Sequence, residues 1–121
     1  FPGAGGTQRA IRQLSPCQAR EIMFTGDWFS AQRALELGLI NHVVAPDSLM
    51  SETMAIAERI ATKSPLVMKL LKRTLRDGVD MPMGAALAHE QAMIGLVFDT
   101  EDAHEGIQAF LEKRKASFTG R

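Results

Sequence analysis

Two serine–proline pairs, Ser15-Pro16 and Ser64-Pro65, together with Pro82 and Thr100, cut this chain into helix-length pieces. A serine hydroxyl can accept from the free N–H groups of a first helical turn, and proline suits the first helical position because no hydrogen bond is lost there. Gln18, following Ser15 at the spacing of a capping box, can return a bond to the cap. The helix after Pro16 is expected to reach about Phe24, with Ala19, Ile22 and Met23 on its buried side and Thr25-Gly26-Asp27 ending it. Ser30 starts a short helix over Ala31–Leu37, and Gly38 stands where a left-handed residue stops a helix.

The rest of the chain repeats this grammar. Asp47 is read as the cap of a helix whose inner face carries Leu49, Thr53, Ile56, Ala57 and Ile60. After Ser64-Pro65 the inner stripe is Val67, Leu70, Leu71 and Thr74, and Gly78 ends the helix. Pro82 opens a helix to about Phe98 that is apolar nearly all round. Met83, Leu87, Ile94 and Phe98 share one face, and Ala85, Ala86, Ala88, Ala92 and Met93 fill much of the rest. Such a helix needs cover on most sides, which in a small domain is often another subunit. Asp99 or Thr100 caps the last helix, with Ala103, Ile107, Phe110 and Leu111 on one face. It closes at Glu112-Lys113-Arg114-Lys115, before a frayed Thr119-Gly120-Arg121. Leu39–Val44 is the single strand candidate, carried by Ile40, Val43 and Val44 and broken at Ala45-Pro46-Asp47. One short strand cannot make a sheet; it needs a partner that this chain does not obviously supply, or it lies as an extended edge, and the expected fold is mainly α, with about six helices.

Phe1–Arg9 departs from this pattern. Gly3, Gly5 and Gly6 allow a tight turn and close approach of the backbone to another group, and Thr7, Gln8 and Arg9 lead into a helix. The stretch reads as a glycine loop opening into a helix N-terminus, able to face a carbonyl oxygen, a water or an anion, or simply to permit close packing. It lacks both the G-x-G-x-x-G spacing of a dinucleotide site and the Gly-Lys-Ser/Thr of a P-loop. Because the chain opens at Phe1, inside this loop and without an initiator methionine, it is expected to belong to a longer polypeptide.

Composition narrows the function. The 121 residues suffice for one modest core. Fourteen basic residues balance 14 acidic ones, which argues against a dedicated nucleic-acid surface, including a helix-turn-helix reader. Lys69, Lys72, Arg73 and Arg76 therefore read as a solvated face. The single cysteine, Cys17, excludes an internal disulfide and reads as a small buried hydrophobe. No apolar run approaches the ~20 residues of a membrane span. His42, His89 and His104 are not spaced as metal ligands, and His89-Glu90 lacks the second histidine of a zinc motif. Glu101, Asp102 and Glu105 are an acidic helix opening, explained by the helix dipole. No carboxylate pair stands out for acid–base work, so on these grounds no metal site and no complete catalytic apparatus is expected.

The Pro2–Arg9 stretch, Pro-Gly-Ala-Gly-Gly-Thr-Gln-Arg, resembles the signature of the enoyl-CoA hydratase/isomerase (crotonase) family. The resemblance continues through Ala19, Glu21, Thr25 and Gly26, then Ala31, Ala34, Gly38-Leu39-Ile40-Asn41, Val43-Val44 and Pro46. It ends with Gly106 and Ala109–Ala116, then Phe118. It covers essentially the whole chain, yet the family is roughly twice as long. The resemblance implies the C-terminal helical part of the crotonase-type α/β spiral fold. Residues 1–46 would be the end of the core, with its glycine loop, two helices and short strand; residues 47–121 would form a helical oligomerisation region.

In the family, an acyl-CoA thioester carbonyl sits in an oxyanion hole of two backbone N–H groups, and hydratases use two glutamates to add water to a 2-enoyl-CoA. Those glutamates and donors would lie before Phe1, so no catalytic residue is assigned here and the chain alone is expected to be inactive. Substrate-binding residues carried over are Pro2 and Gly3, the latter offering its N–H to the catalytic water. Phe110 and Lys113 are carried over as reaching a neighbouring subunit's coenzyme A; for Lys113 the other reading is a solvated lysine, and for Phe110 a core role weighs at least as much. The resemblance implies no cofactor beyond the coenzyme A of the substrate. It implies a homotrimer or hexamer, without nucleic-acid or membrane partners, in the cytoplasm, or in the mitochondrial matrix of a eukaryote. Alternatives are an isomerase or other activity of the same family, or a non-catalytic helical self-association module.

Overall fold

The computed structural model describes Phe1–Arg121 and contains seven α-helices and one 3-10 turn, with no β-strand. It divides into two compact units, Phe1–Met50 and Ser51–Arg121.

The first unit holds α1 (Gly6–Gln13), α2 (Pro16–Thr25) and α3 (Ala31–Glu36). The capping box at α2 is complete: Ser15 Oγ accepts from the Gln18 N–H and Gln18 Oε1 accepts from the Ser15 N–H, each at 3.3 Å. Gly26 closes α2 at φ +66°, its N–H reaching the Ile22 carbonyl at 3.1 Å. Ser30 caps α3 through the Arg33 N–H at 3.1 Å. At its other end Gly38, at φ +74°, lets the Leu39 N–H return to the Ala34 carbonyl at 2.9 Å, the closure a left-handed residue makes possible. Leu14, Ala19 and Ala34 are the buried core of this unit, flanked by half-buried Ile22 and Met23.

Leu39–Val44 corrects the strand expectation. It is irregular chain without a ladder. Its β-branched residues favour a pleated backbone, but a strand exists only when another backbone satisfies its N–H and C=O groups, and no second strand is present. What holds its start is a side chain: Gln13 Nε2 donates to the Leu39 carbonyl at 2.9 Å. Asp47 is also displaced from its expected role. It lies within the 3-10 turn Pro46–Ser48, where Pro46 takes the first position and the Ser48 N–H donates to the Ala45 carbonyl at 2.9 Å. Helix α4 (Leu49–Ala61) follows directly. Its expected inner face is bare, with Leu49, Ile56 and Ile60 all exposed.

The second unit contains α5 (Pro65–Gly78), α6 (Met83–Phe98) and α7 (Glu101–Leu111). Ser64 and Thr100 are the buried caps of α5 and α7, accepting from the Val67 and Ala103 N–H groups at 3.2 and 3.0 Å. Helix α5 packs on α6, and α6 on α7. Val67, Leu70 and Thr74 are half-buried as expected, while Leu71 is exposed. No residue of α6 is buried, and Met83, Leu87, Ile94, Leu96 and Phe98 stand open. No helix is long and apolar enough to cross a membrane.

The face of α7 is the clearest departure from sequence expectation. Its buried residues are Asp102 and Ala109, each 2% exposed, whereas Phe110 is 82% exposed. The cause is the terminal segment, expected to fray. It instead lies along the helix, with Phe118 against Gly106. The N–H groups of Thr119 and Gly120 donate to the two carboxylate oxygens of Asp102 at 2.7 and 2.9 Å. The Asp102 N–H in turn donates to the Arg121 carbonyl at 2.9 Å. A helix turns toward whatever covers it, and here the cover arrives on the polar side of the apolar stripe.

Candidate functional site

The glycine loop is a built turn. The Gly3 carbonyl accepts from the Gly6 N–H at 2.9 Å. Ala4 and Gly5 follow one another in the left-handed region, at φ +51° and +86°, and Arg9 Nη1 donates back to the Ala4 carbonyl at 3.3 Å. Each glycine has a different reason to be one. Gly5 needs its positive φ, and a Cβ there would also meet the Arg9 guanidinium at 3.3 Å. At Gly6 a Cβ would lie 3.1 Å from Pro2 Cβ, so the absence of a side chain at position 6 lets Pro2 rest close against the start of α1. Gly3 is the exception: nothing lies within 4 Å of where its Cβ would be, and its φ is not positive. Within this chain neither packing nor conformation asks for glycine there. Pro2, Gly6, Ala10, Ile22 and Met23 border an apolar groove beside the loop.

The other two carried-over residues stand at the end of α7, in the second unit. Phe110 and Lys113 are both exposed. Phe110, 82% exposed, is therefore not a core residue of this chain and lies beyond the surface that the tail covers. Lys113 adopts φ +55°, with its N–H donating to the Phe110 carbonyl at 3.2 Å and the Arg114 N–H donating to the Ala109 carbonyl at 3.0 Å. This is a helix-ending turn of the kind glycine usually makes.

Charged side chains surround that turn. Arg114 donates through both terminal nitrogens to the two oxygens of Glu105, at 2.6 and 2.8 Å, and through Nε to Glu112 at 2.6 Å. Glu105 Oε1 also accepts from the Ser117 N–H at 2.8 Å. The Arg114 fork, then the Ser117 N–H, draw the Glu105 carboxyl down to about 2. Arg114 is pushed up by Glu105 and Glu112, and Glu112 is lowered by Arg114 and then Gln108. Burial pushes the Asp102 carboxyl up, but bonds from Ser64, Thr119 and Gly120 outweigh it and leave it lowered. Asp102 and Glu105 thus hold the tail, a role the acidic opening of α7 concealed in the sequence. No short-range spacing reveals these partners, which lie 9 to 18 residues further along the chain.

The remaining candidates do not converge. No group of three or more histidine, cysteine, aspartate or glutamate side chains is placed to hold a metal ion. His104 Nδ1 lies 2.8 Å from the Thr100 carbonyl, and His89 Nε2 is enclosed without a partner. Cys17 is exposed, not buried as its type suggested, because it occupies the outer side of the first turn of α2. Lys69, Lys72, Arg73 and Arg76 are exposed along α5, where Asp77 pairs with Arg76 at 2.8 Å and Arg73 at 3.5 Å.

Comparison with known proteins places the whole chain in one context. A family model described as enoyl-CoA hydratase/isomerase matches residues 1–121. The crotonyl-CoA hydratase of Syntrophomonas wolfei is 41% identical over 120 residues, covering 99% of this chain and 46% of that protein. The 2,3-dehydroadipyl-CoA hydratase of Escherichia coli is 39% identical, covering 100% of this chain and 48% of that protein. Among solved structures, an enoyl-CoA hydratase from Bacillus anthracis superposes with a TM-score of 0.96 at 38% identity, covering 100% of this chain and 47% of the other. The chain spans about half the length of the curated relatives it matches.

Proposed function

This chain belongs to the enoyl-CoA hydratase/isomerase family and has the mainly helical fold that crotonase-type structures show over about half their length, and we propose that it is the C-terminal portion of an enoyl-CoA hydratase. The observation that carries this reading is end-to-end similarity to relatives named as hydratases, at 39–41% identity in the first two. The reaction adds water across the double bond of a 2-enoyl-CoA. The water oxygen bonds to C3, a proton is delivered to C2, and negative charge grows on the thioester oxygen in between. Preorganised N–H donors would stabilise that charge, and two carboxyl groups would move the protons. In this reading those groups belong to the other portion of the enzyme.

What this chain contributes is positioning. Gly3 is free of packing and conformational demands in its own turn, which suits a residue whose backbone N–H must approach a water without a side chain in the way. Pro2, seated on Gly6, would fix the loop. Phe110 and Lys113 would reach the coenzyme A of a neighbouring subunit, Lys113 meeting a phosphate as a point charge. Their exposure supports that role. Coenzyme A enters as part of the substrate, and no separate cofactor is invoked. The bare surfaces of α4 and α6 support residues 47–121 as the oligomerisation region of a homotrimer or hexamer. Bacterial relatives and a mitochondrial one point to the cytoplasm or mitochondrial matrix.

The test is direct. The complete protein carrying this chain hydrates crotonyl-CoA, followed as loss of the enoyl-thioester absorbance, and the purified 121-residue chain does not. Turnover by the chain alone, or a complete protein that shifts a double bond without adding water, overturns the assignment. Sedimentation tests the assembly: the chain self-associates at micromolar concentration, and a stable folded monomer there refutes the role given to α6.

A further inference from the structure

We propose that Glu105 and Arg114 are positioning residues, whose ion pair holds the left-handed turn at Lys113 and so fixes where the Lys113 ammonium and the Phe110 ring project. The proposal rests on the coenzyme A contact assigned above to Lys113 and Phe110.

Lys113 is the starting point. A lysine at φ +55° is in a conformation that L side chains resist, and such residues persist where the surroundings over-determine them. The surroundings here are specific. Glu112 and Arg114, the residues on either side of Lys113, are joined to each other at 2.6 Å, so the turn is closed across Lys113 by its own neighbours. Arg114 is then fixed to the body of α7 by the two-pronged bond to Glu105. Glu105 also takes the Ser117 N–H, which ties down the chain beyond the turn. Lysine could not replace Arg114, because only a planar fork satisfies both carboxylate oxygens at once.

The same arrangement decides the charge of the turn. Arg114 occupies both nearby carboxylates, and Lys113 joins no ion pair. Its ammonium is left outward-facing and uncompensated, as an anion-binding lysine must be. The Glu105 carboxyl, held at about 2, stays ionised throughout the physiological range, so the clasp does not open there. A turn fixed before the ligand arrives avoids ordering cost on binding. The pair acts through Lys113 and touches no substrate itself.

The experiment uses the complete enzyme and two thioesters, crotonyl-CoA and S-crotonylpantetheine, the second lacking the nucleotide phosphates. K113A and R114A each raise KM for crotonyl-CoA about tenfold, the effect of losing one charge-assisted contact. They change kcat less than twofold and leave KM for the truncated thioester unaltered. The double variant is no worse than either single one, because both remove the same contact. E105Q shows the same pattern at smaller size.

If K113A leaves KM for crotonyl-CoA unchanged, the coenzyme A contact itself is wrong and the inference falls with it. If K113A raises KM while R114A and E105Q do not, the contact stands and the positioning role is refuted. Equal losses with both thioesters, or loss of helical circular dichroism in both R114A and E105Q, assigns the pair to holding the fold and also refutes it.

Discussion

Acid should open the clasp at the end of α7, at a pH the structure sets. Glu105 receives three donors at 2.6, 2.8 and 2.8 Å, two from Arg114 and one from the Ser117 N–H. All three stabilise the ionised carboxyl, which is why it titrates at about 2 instead of 4.5. The folded protein therefore binds that proton more weakly than an unfolded chain does. A carboxyl depressed in the folded state stabilises it where the group is ionised. The contribution is fully present above 4.5, shrinks as the pH falls below that value, and is gone once the pH passes about 2. A carbon-detected NMR titration of the Glu105 carboxyl reads this without reference to activity. The expected midpoint is near 2, and the Ser117 amide follows the same curve. In R114A the midpoint returns most of the way toward 4.5, because the arginine is the largest of the causes. A midpoint near 4.5 in the unaltered chain, or one that R114A does not move, refutes the clasp as described.

Glycine supplies a paired test, since Gly26 and Gly95 both have open space where a Cβ would sit but differ in backbone. Gly26→Ala, at φ +66°, destabilises α2 by about 1 kcal/mol, while Gly95→Ala, within α6, stabilises that helix by about 0.5–1 kcal/mol. Helix-resolved amide exchange measures both, and equal signs contradict the assignment of conformation. Ser15→Ala removes the α2 cap and costs about 1 kcal/mol, visible as faster exchange at the Gln18 amide, which the hydroxyl now protects. Asp102→Asn replaces a carboxylate oxygen with an amide donor opposite a backbone N–H. It accelerates exchange at Thr119 and Gly120 while leaving α2 unaffected, and unchanged tail amides count against Asp102 as the anchor.

How much of this was legible in the sequence follows from the range of each interaction. Ser15 with Gln18, Gly26, Ser30, Gly38, Ser64 and Thr100 act within a helical turn or two, and their residue types alone mark where helices start and stop. Leu39–Val44 reads as a strand candidate without a visible partner, and it stays irregular because a strand is a property of two segments while β-branched composition describes only one of them. Phe110 was placed on an apolar stripe correctly as a pattern. Which side of α7 is covered depends on Asp102 meeting Thr119 and Gly120, 17 and 18 residues away. The Pro2–Gly3 loop and Lys113 stand out locally by glycine content or charge, but the Glu105–Arg114 pair that frames Lys113 carries no local signature. The exposed flanks of α4 and α6 were readable as apolar faces, though not as bare ones.

Position 113 sets stability and use against each other. Glycine there would relieve the backbone and make the chain harder to unfold, yet it would remove the outward charge for which the turn is argued to exist. A screen for thermal stability would favour that exchange and a screen for substrate affinity would reject it. Disagreement between the two rankings at this one residue is a signature that a purely architectural lysine would not leave.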